Sequence, residues 1–180
     1  GLVDNTWLWT WHEIAELIQD MCKTGIPIEH KQQIWQVIEK LIDAPGNINE
    51  EDKFKNTDLR SEDFLTYAMN STQGRAMQSV MDYAHWLGKS IADGKDSVPK
   101  GFAKMREVKT VLERKLAPDD PGGFASRAVY GWRYGLLYWI DRDWLAQHAP
   151  QIFDLREFET NPRHAKGWAA WNTFLTANRP

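Results

Sequence analysis

A chain of 180 residues is long enough to bury roughly two-thirds of its unfolded surface, so one compact domain over residues 1–180 is expected. With 42% hydrophobic and 26% charged residues, the composition excludes the disordered and disulfide-rich classes, and Cys22 as the lone cysteine excludes an internal disulfide. Net charge is −3, with 6 basic against 11 acidic groups in residues 1–60, 9 against 9 in 61–120 and 7 against 5 in 121–180. That gradient falls short of the basic bias of a dedicated nucleic-acid binder.

No run approaches the roughly 18 apolar residues of a membrane span, and no secretory leader pattern is present, so a cytoplasmic location and no membrane association are expected. Gly1 at the start and Asn178-Arg179-Pro180 at the close read as the boundaries of a segment excised from a longer protein. Ten tryptophans, nearly all within amphipathic stretches, point to a large helical core and identify no chemistry.

Trp7, Trp11, Ile14, Ile18 and Met21 recur at helical spacing and, widened by Leu8, Ala15 and Cys22, predict a helix over 6–23, ended by Gly25. Pro27 suits the start of the next segment, and Ile34, Trp35, Ile38, Leu41 and Ile42 predict a helix over 29–42, packed antiparallel to the first. Residues 43–60 change character, with Pro45, Gly46 and Glu50-Glu51-Asp52, and read as a long solvated loop.

Ser61 is the expected N-cap of a short helix over 61–69. Asn70, with Gln73 three residues on, reads as a capping box opening a helix over 72–93, which buries Ala76, Met77, Val80, Ala84 and Leu87, with Tyr83 and Trp86 flanking. Gly74 costs about 1 kcal/mol within a helix relative to Ala, and its presence predicts a close backbone approach there.

A helix over 100–116 places Met105, Val108, Leu112 and Leu116 on one side. The other side carries Lys100, Lys104, Arg106, Lys109, Arg114 and Lys115. After the break at Pro118–Gly123, an aromatic helix over 124–140 holds Phe124, Tyr130, Trp132, Tyr134, Tyr138 and Trp139, with Gly131 and Gly135 forming a notch for a neighbouring helix. Helices over 141–149, with Trp144 and Leu145, and over 163–177, with Trp168, Trp171, Phe174 and Leu175, complete the set. About eight helices and no convincing strand predict an all-α fold: stacked antiparallel hairpins in a right-handed superhelix of HEAT or armadillo type, with an irregular bundle as the alternative.

Candidate chemistry is sparse. His12, Glu13 and Glu16 share a helical face but lack the second histidine of a zinc-protease helix, and His30, His85, His148 and His164 stand in no ligand spacing, so structural or surface roles are expected. Asp141-Arg142-Asp143 suits a helix start better than an acid pair, because adjacent helical side chains diverge. Gly122-Gly123 lacks the lysine and Ser/Thr of a phosphate loop, and no strand precedes it. The six cations over 100–115 read either as a solvated face or as a surface for phosphate or an acidic partner. The aromatic rings over 130–144 read either as core or as a stacking platform.

Leu59-Arg60-Ser61-Glu62-Asp63-Phe64, then Ala68-Met69-Asn70-Ser71-Thr72-Gln73-Gly74-Arg75-Ala76 and Tyr83-Ala84-His85-Trp86, resemble a pattern in long helical regions of large bacterial proteins. Trp168-Ala169-Ala170-Trp171-Asn172-Thr173-Phe174-Leu175 resembles the close of the same regions. Such C-terminal regions, some catalogued only as domains of unknown function, follow sirtuin-like or signalling-NTPase domains in proteins of anti-phage defence. The resemblance covers most of residues 58–180 and implies a sensor, scaffold or assembly module. The nucleotide-handling motifs of those parents are missing from this stretch, so the expectation is a non-catalytic interaction module without cofactor or metal, its partners being other domains of the parent or a separate protein. Nucleic-acid binding through the helix over 100–115 is the alternative.

Overall fold

A computed structural model describes residues 5–44, 53–54, 58–92, 101–117, 120, 123–156 and 166–178, with the side chains of 5–8 left aside. Among them the chain forms nine α-helices and no strand. The helices are α1 (Asn5–Thr24), α2 (Lys31–Ile42), α3 (Phe64–Asn70), α4 (Thr72–Ile91), α5 (Arg106–Lys115), α6 (Gly123–Trp132), α7 (Tyr134–Ile140), α8 (Arg142–Ile152) and α9 (Lys166–Ala177). Short 3-10 turns at Ile28–His30 and Gly101–Lys104 lead into α2 and towards α5.

The expected apolar stripes explain most of the packing. In α2, Ile34, Trp35, Ile38, Leu41 and Ile42 are all buried, and in α1 Ala15, Ile18 and Cys22 are buried with Trp11, Ile14 and Met21 half-covered. Both helices lie against α4, which is also flanked by α3, α6 and α7. So surrounded, α4 buries residues on every side, including Gln78, Ser79 and Asp82, and it is the axis of the fold. Tyr83 and Trp86, expected at its flanks, are buried, and Trp35, Tyr83 and Trp86 form a chain of tilted rings with centroids 5.2 and 5.5 Å apart.

The second centre is α6, which carries α3, α4 and above all α9. Small residues make the α6–α9 contact: Gly167, Ala169, Ala170 and Thr173 are buried, whereas Trp168, Trp171 and Phe174 sit at the margin and Leu175 is exposed. The aromatic residues singled out in this helix therefore flank its inner face and do not form it. Two helices whose backbones approach this closely leave no room for rings between them, so the rings pack beside the contact, where Tyr134, Phe153, Trp171 and Phe174 cluster.

The arrangement is the irregular bundle, not a stack of sequential hairpins. A solenoid joins each repeat only to its neighbours. Here the dominant helix contact joins α6 to α9 across α7 and α8, and the Trp168 indole donates to the Leu59 carbonyl at 2.8 Å, 109 residues away.

Local corrections have local causes. Asp63, not Ser61, caps α3, accepting from the Thr66 amide at 3.0 Å. Ser71, not Asn70, caps α4 through the Gly74 amide at 3.0 Å; Asn70 closes α3, and Gln73 donates to the Ala44 carbonyl instead of completing a capping box. At Gly74 the close approach is present, since a Cβ there would lie 2.0 Å from the Ala68 carbonyl oxygen. The helix expected over 100–116 is a 3-10 turn followed by α5, and that expected over 124–140 is broken at Arg133, whose ψ of 18° takes it out of the helical region. Most of the loop read over 43–60 lies outside the described residues, but Phe54 and Leu59 are buried in the core and so are not solvated.

Candidate functional site

Of the six cations singled out over 100–115, Lys100 lies outside the described residues. Lys104 and Arg106 are exposed; Lys109 faces Glu113 at 3.7 Å, and Arg114 reaches Asp43 at 3.0 Å. Such exposed pairs contribute about 0–1 kcal/mol each, yet they lower the positive charge this face offers to a phosphate. Lys115 does not belong to the surface at all, being 5% exposed. Its Nζ donates to Asp120 Oδ1 at 2.9 Å and to Gln73 Oε1 at 3.1 Å, and Ser126 Oγ completes the site by donating to Asp120 Oδ2 at 3.4 Å. Three residues after Leu112 and seven after Val108, Lys115 lies by helical spacing on the buried stripe of α5, so its charge and not its position grouped it with the exposed cations.

Arg127, which was not singled out, is the other buried cation among the described residues. Its guanidinium donates to the Leu116 carbonyl at 2.6 Å and to the Gln151 carbonyl, the C-terminal ends of α5 and α8. Carbonyls at helix ends have no intrahelical donor and carry the negative pole of the dipole, so one cation joins two helix ends. An arginine among apolar residues at helical spacing is the only trace of this in the sequence.

Of the other residues singled out, His164 and Gly122 lie outside the described residues, and Asp141 and Glu16 are held in structural contacts. Asp141 caps α8 through the Trp144 amide at 2.9 Å and ties the preceding 3-10 turn through the Phe102 amide at 2.9 Å. Glu16 is taken by Arg75 at 2.8 Å, and burial together with the Arg75 charge lowers the proton affinity of His12. Among the described residues no three His, Cys, Asp or Glu side chains stand together in a way that could hold a metal ion, and no helix is long and apolar enough to cross a membrane.

Burial, seconded by the Asp82 carboxylate, pushes the Cys22 thiol up to about 12. The thiolate is the reactive form, so at pH 8 alkylation of the native protein by iodoacetamide is expected to run on the order of a thousandfold slower than alkylation in urea. Comparable rates would contradict this placement of Cys22.

Among the described residues, two surface features bear on function. One is the outer face of α1, where Trp9 is 70% and Leu17 60% exposed. The other is a solvent-open cleft of about 380 Å³ between α4 and α7, lined by His85, Lys89, Arg133, Leu136 and Trp139. Part of the aromatic stretch over 130–144 is therefore core, as with Tyr130 and Trp144, and part forms a wall of this cleft. Comparison with protein-family models, with curated proteins and with solved structures finds no match for this chain.

Proposed function

We propose that this chain is a non-catalytic helical interaction module, the scaffold or sensor part of a larger bacterial protein of the defence-associated kind that residues 58–180 resemble. The observation that carries this is the outer face of α1. An indole and an isobutyl group project into water two turns apart on a helix whose opposite face is already buried. Tryptophan is the side chain most enriched among interface anchors, because it buries a large rigid area at low entropic cost. The buried cations Lys115 and Arg127 support the same reading, since Lys115 is held by Asp120 and Gln73 and Arg127 by the Leu116 and Gln151 carbonyls.

Site-specific photo-cross-linking in bacteria tests it. Benzoylphenylalanine in place of Trp9 or Leu17 is expected to give a discrete cross-linked polypeptide, while the same group in place of the exposed Gln147 on α8 gives none. Equal labelling at all three positions, or none at any, would contradict the proposal.

A further inference from the structure

The geometry points to a second binding surface: we infer that the cleft between α4 and α7 takes an acidic segment of a partner protein, one bearing an aromatic or long aliphatic side chain beside its carboxylates. Three cationic or protonatable groups converge there. His85 and Lys89 come from successive turns of α4, and Arg133 comes from the junction of α6 and α7. The Arg133 guanidinium is held in place, donating to Asp82 Oδ1 at 3.0 Å and lying 4.2 Å from the centroid of the Trp132 ring. A cation so fixed loses little freedom when a carboxylate arrives.

Lys89 is exposed and has no ion-pair partner among the described residues. Asp82, the one acid of α4, is buried and paired with Arg133, so it offsets part of the Arg133 charge and leaves Lys89, among the described residues, as the unpaired cation of the cleft. Burial and then the Lys89 charge lower the proton affinity of His85, with the Asp82 carboxylate opposing them and Arg133 adding to them.

The apolar half of the cleft selects against a bare anion. Leu136 and Trp139 are half-buried, and the Trp139 ring stands edge-on to His85 at 5.5 Å and 90°, which fixes its orientation. A volume of about 380 Å³ is at the small end of ligand clefts, room for one or two side chains and not for a helix. A carboxylate next to a phenyl or isobutyl group satisfies both halves at once. A nucleic-acid strand would need a continuing track of cations, and the cleft offers two besides a histidine.

The surface stands independently of α1, and its test is separate. Fluorescence anisotropy on the whole chain would use a labelled Glu-Leu-Asp-Phe-Glu peptide, its Gln-Leu-Asn-Phe-Gln isostere, Glu-Ser-Asp-Ser-Glu and a five-residue oligothymidylate. The first peptide is expected to bind saturably and both variant peptides at least about tenfold more weakly. Lys89→Glu, on the exposed last turn of α4, is expected to weaken the first peptide at least about tenfold with no change in thermal midpoint, because like charges now face each other. Trp139→Ala is expected to abolish the preference for the apolar side chains while leaving the preference for charge.

No saturable binding up to millimolar peptide would overturn the inference, as would equal affinity for the uncharged isostere or indifference to Lys89→Glu. Tighter binding of oligothymidylate would also overturn it. So would self-association of the unlabelled chain that Lys89→Glu abolishes in sedimentation, since the occupant would then be a second copy. Loss of cross-linking at Trp9 with peptide binding intact would sink only the α1 reading.

Discussion

Replacing Gly131 by alanine is expected to destabilise the protein by about 3 kcal/mol, whereas the same change at Gly135 stabilises it by about 0.5 kcal/mol. The two glycines are one turn apart and look equivalent in the sequence. At Gly131 a Cβ would lie 2.0 Å from the Ala170 carbonyl oxygen and 2.4 Å from Thr173 Oγ1. These atoms belong to α9 and have little freedom to yield, because the Thr173 hydroxyl is already engaged with the Ala128 carbonyl at 2.7 Å. The methyl group can be accommodated only by parting α6 from α9, the most extensive helix contact among the described residues. At Gly135 nothing lies within 4 Å, and alanine there gains helix propensity at no steric cost. Urea unfolding of the two variants checks both signs, and equal effects would mean that the α6–α9 contact is misplaced.

Asp120→Ala is expected to cost about 3–5 kcal/mol, because it strands the Lys115 ammonium in a site closed to water. Gln73 Oε1 at 3.1 Å would remain as a neutral acceptor, too little to offset the lost charge. Attraction within such a pair is largely cancelled by the cost of removing both ions from water. The double variant Lys115→Met, Asp120→Leu, of comparable bulk, is therefore expected to recover most of the loss, to within about 1–2 kcal/mol of the parent. A single variant costing less than about 1 kcal/mol by urea unfolding would show that Lys115 reaches solvent. A double variant no better than the single one would show that the site needs its ions.

Helical periodicity made the axis of the fold readable: the stripe Ala76, Met77, Val80, Ala84 and Leu87 is buried, as are Met105, Val108, Leu112 and Leu116. Periodicity weighs residues by hydrophobicity, and it failed where size decided instead. In α9 the large rings drew attention, while the inner face is the series Gly167, Ala170 and Thr173, which permits close approach. The spacing of three between these small residues, matched by Ala128 and Gly131 in α6, was the available signal.

Indole content misled in the same way. Trp35, Trp86 and Trp144 are buried, but Trp9 faces water and Trp139 lines a cleft, because a helix position and not a residue type determines which side meets a neighbour. Basic residues in α5 were legible as a face, but Lys115 shares the helical spacing of Val108, Val111 and Leu112, and its charge hid a position that the periodicity already placed inward. The cleft joins α4 to α7 across some fifty residues of chain. His85, Lys89 and Trp139 could be seen individually, and their meeting could not.

A single closed core, with its C-terminal helix seated on segments from the middle of the chain, underlies every placement above. The Trp168 indole proton is its most direct reporter, since it is bonded to the Leu59 carbonyl across 109 residues. A nitrogen-edited NOE spectrum is expected to show this proton close to the Leu59 side chain and exchanging with water far more slowly than a free indole. An indole proton that exchanges freely and shows contacts only within α9 would contradict the bundle and return the chain to a linear stack of hairpins.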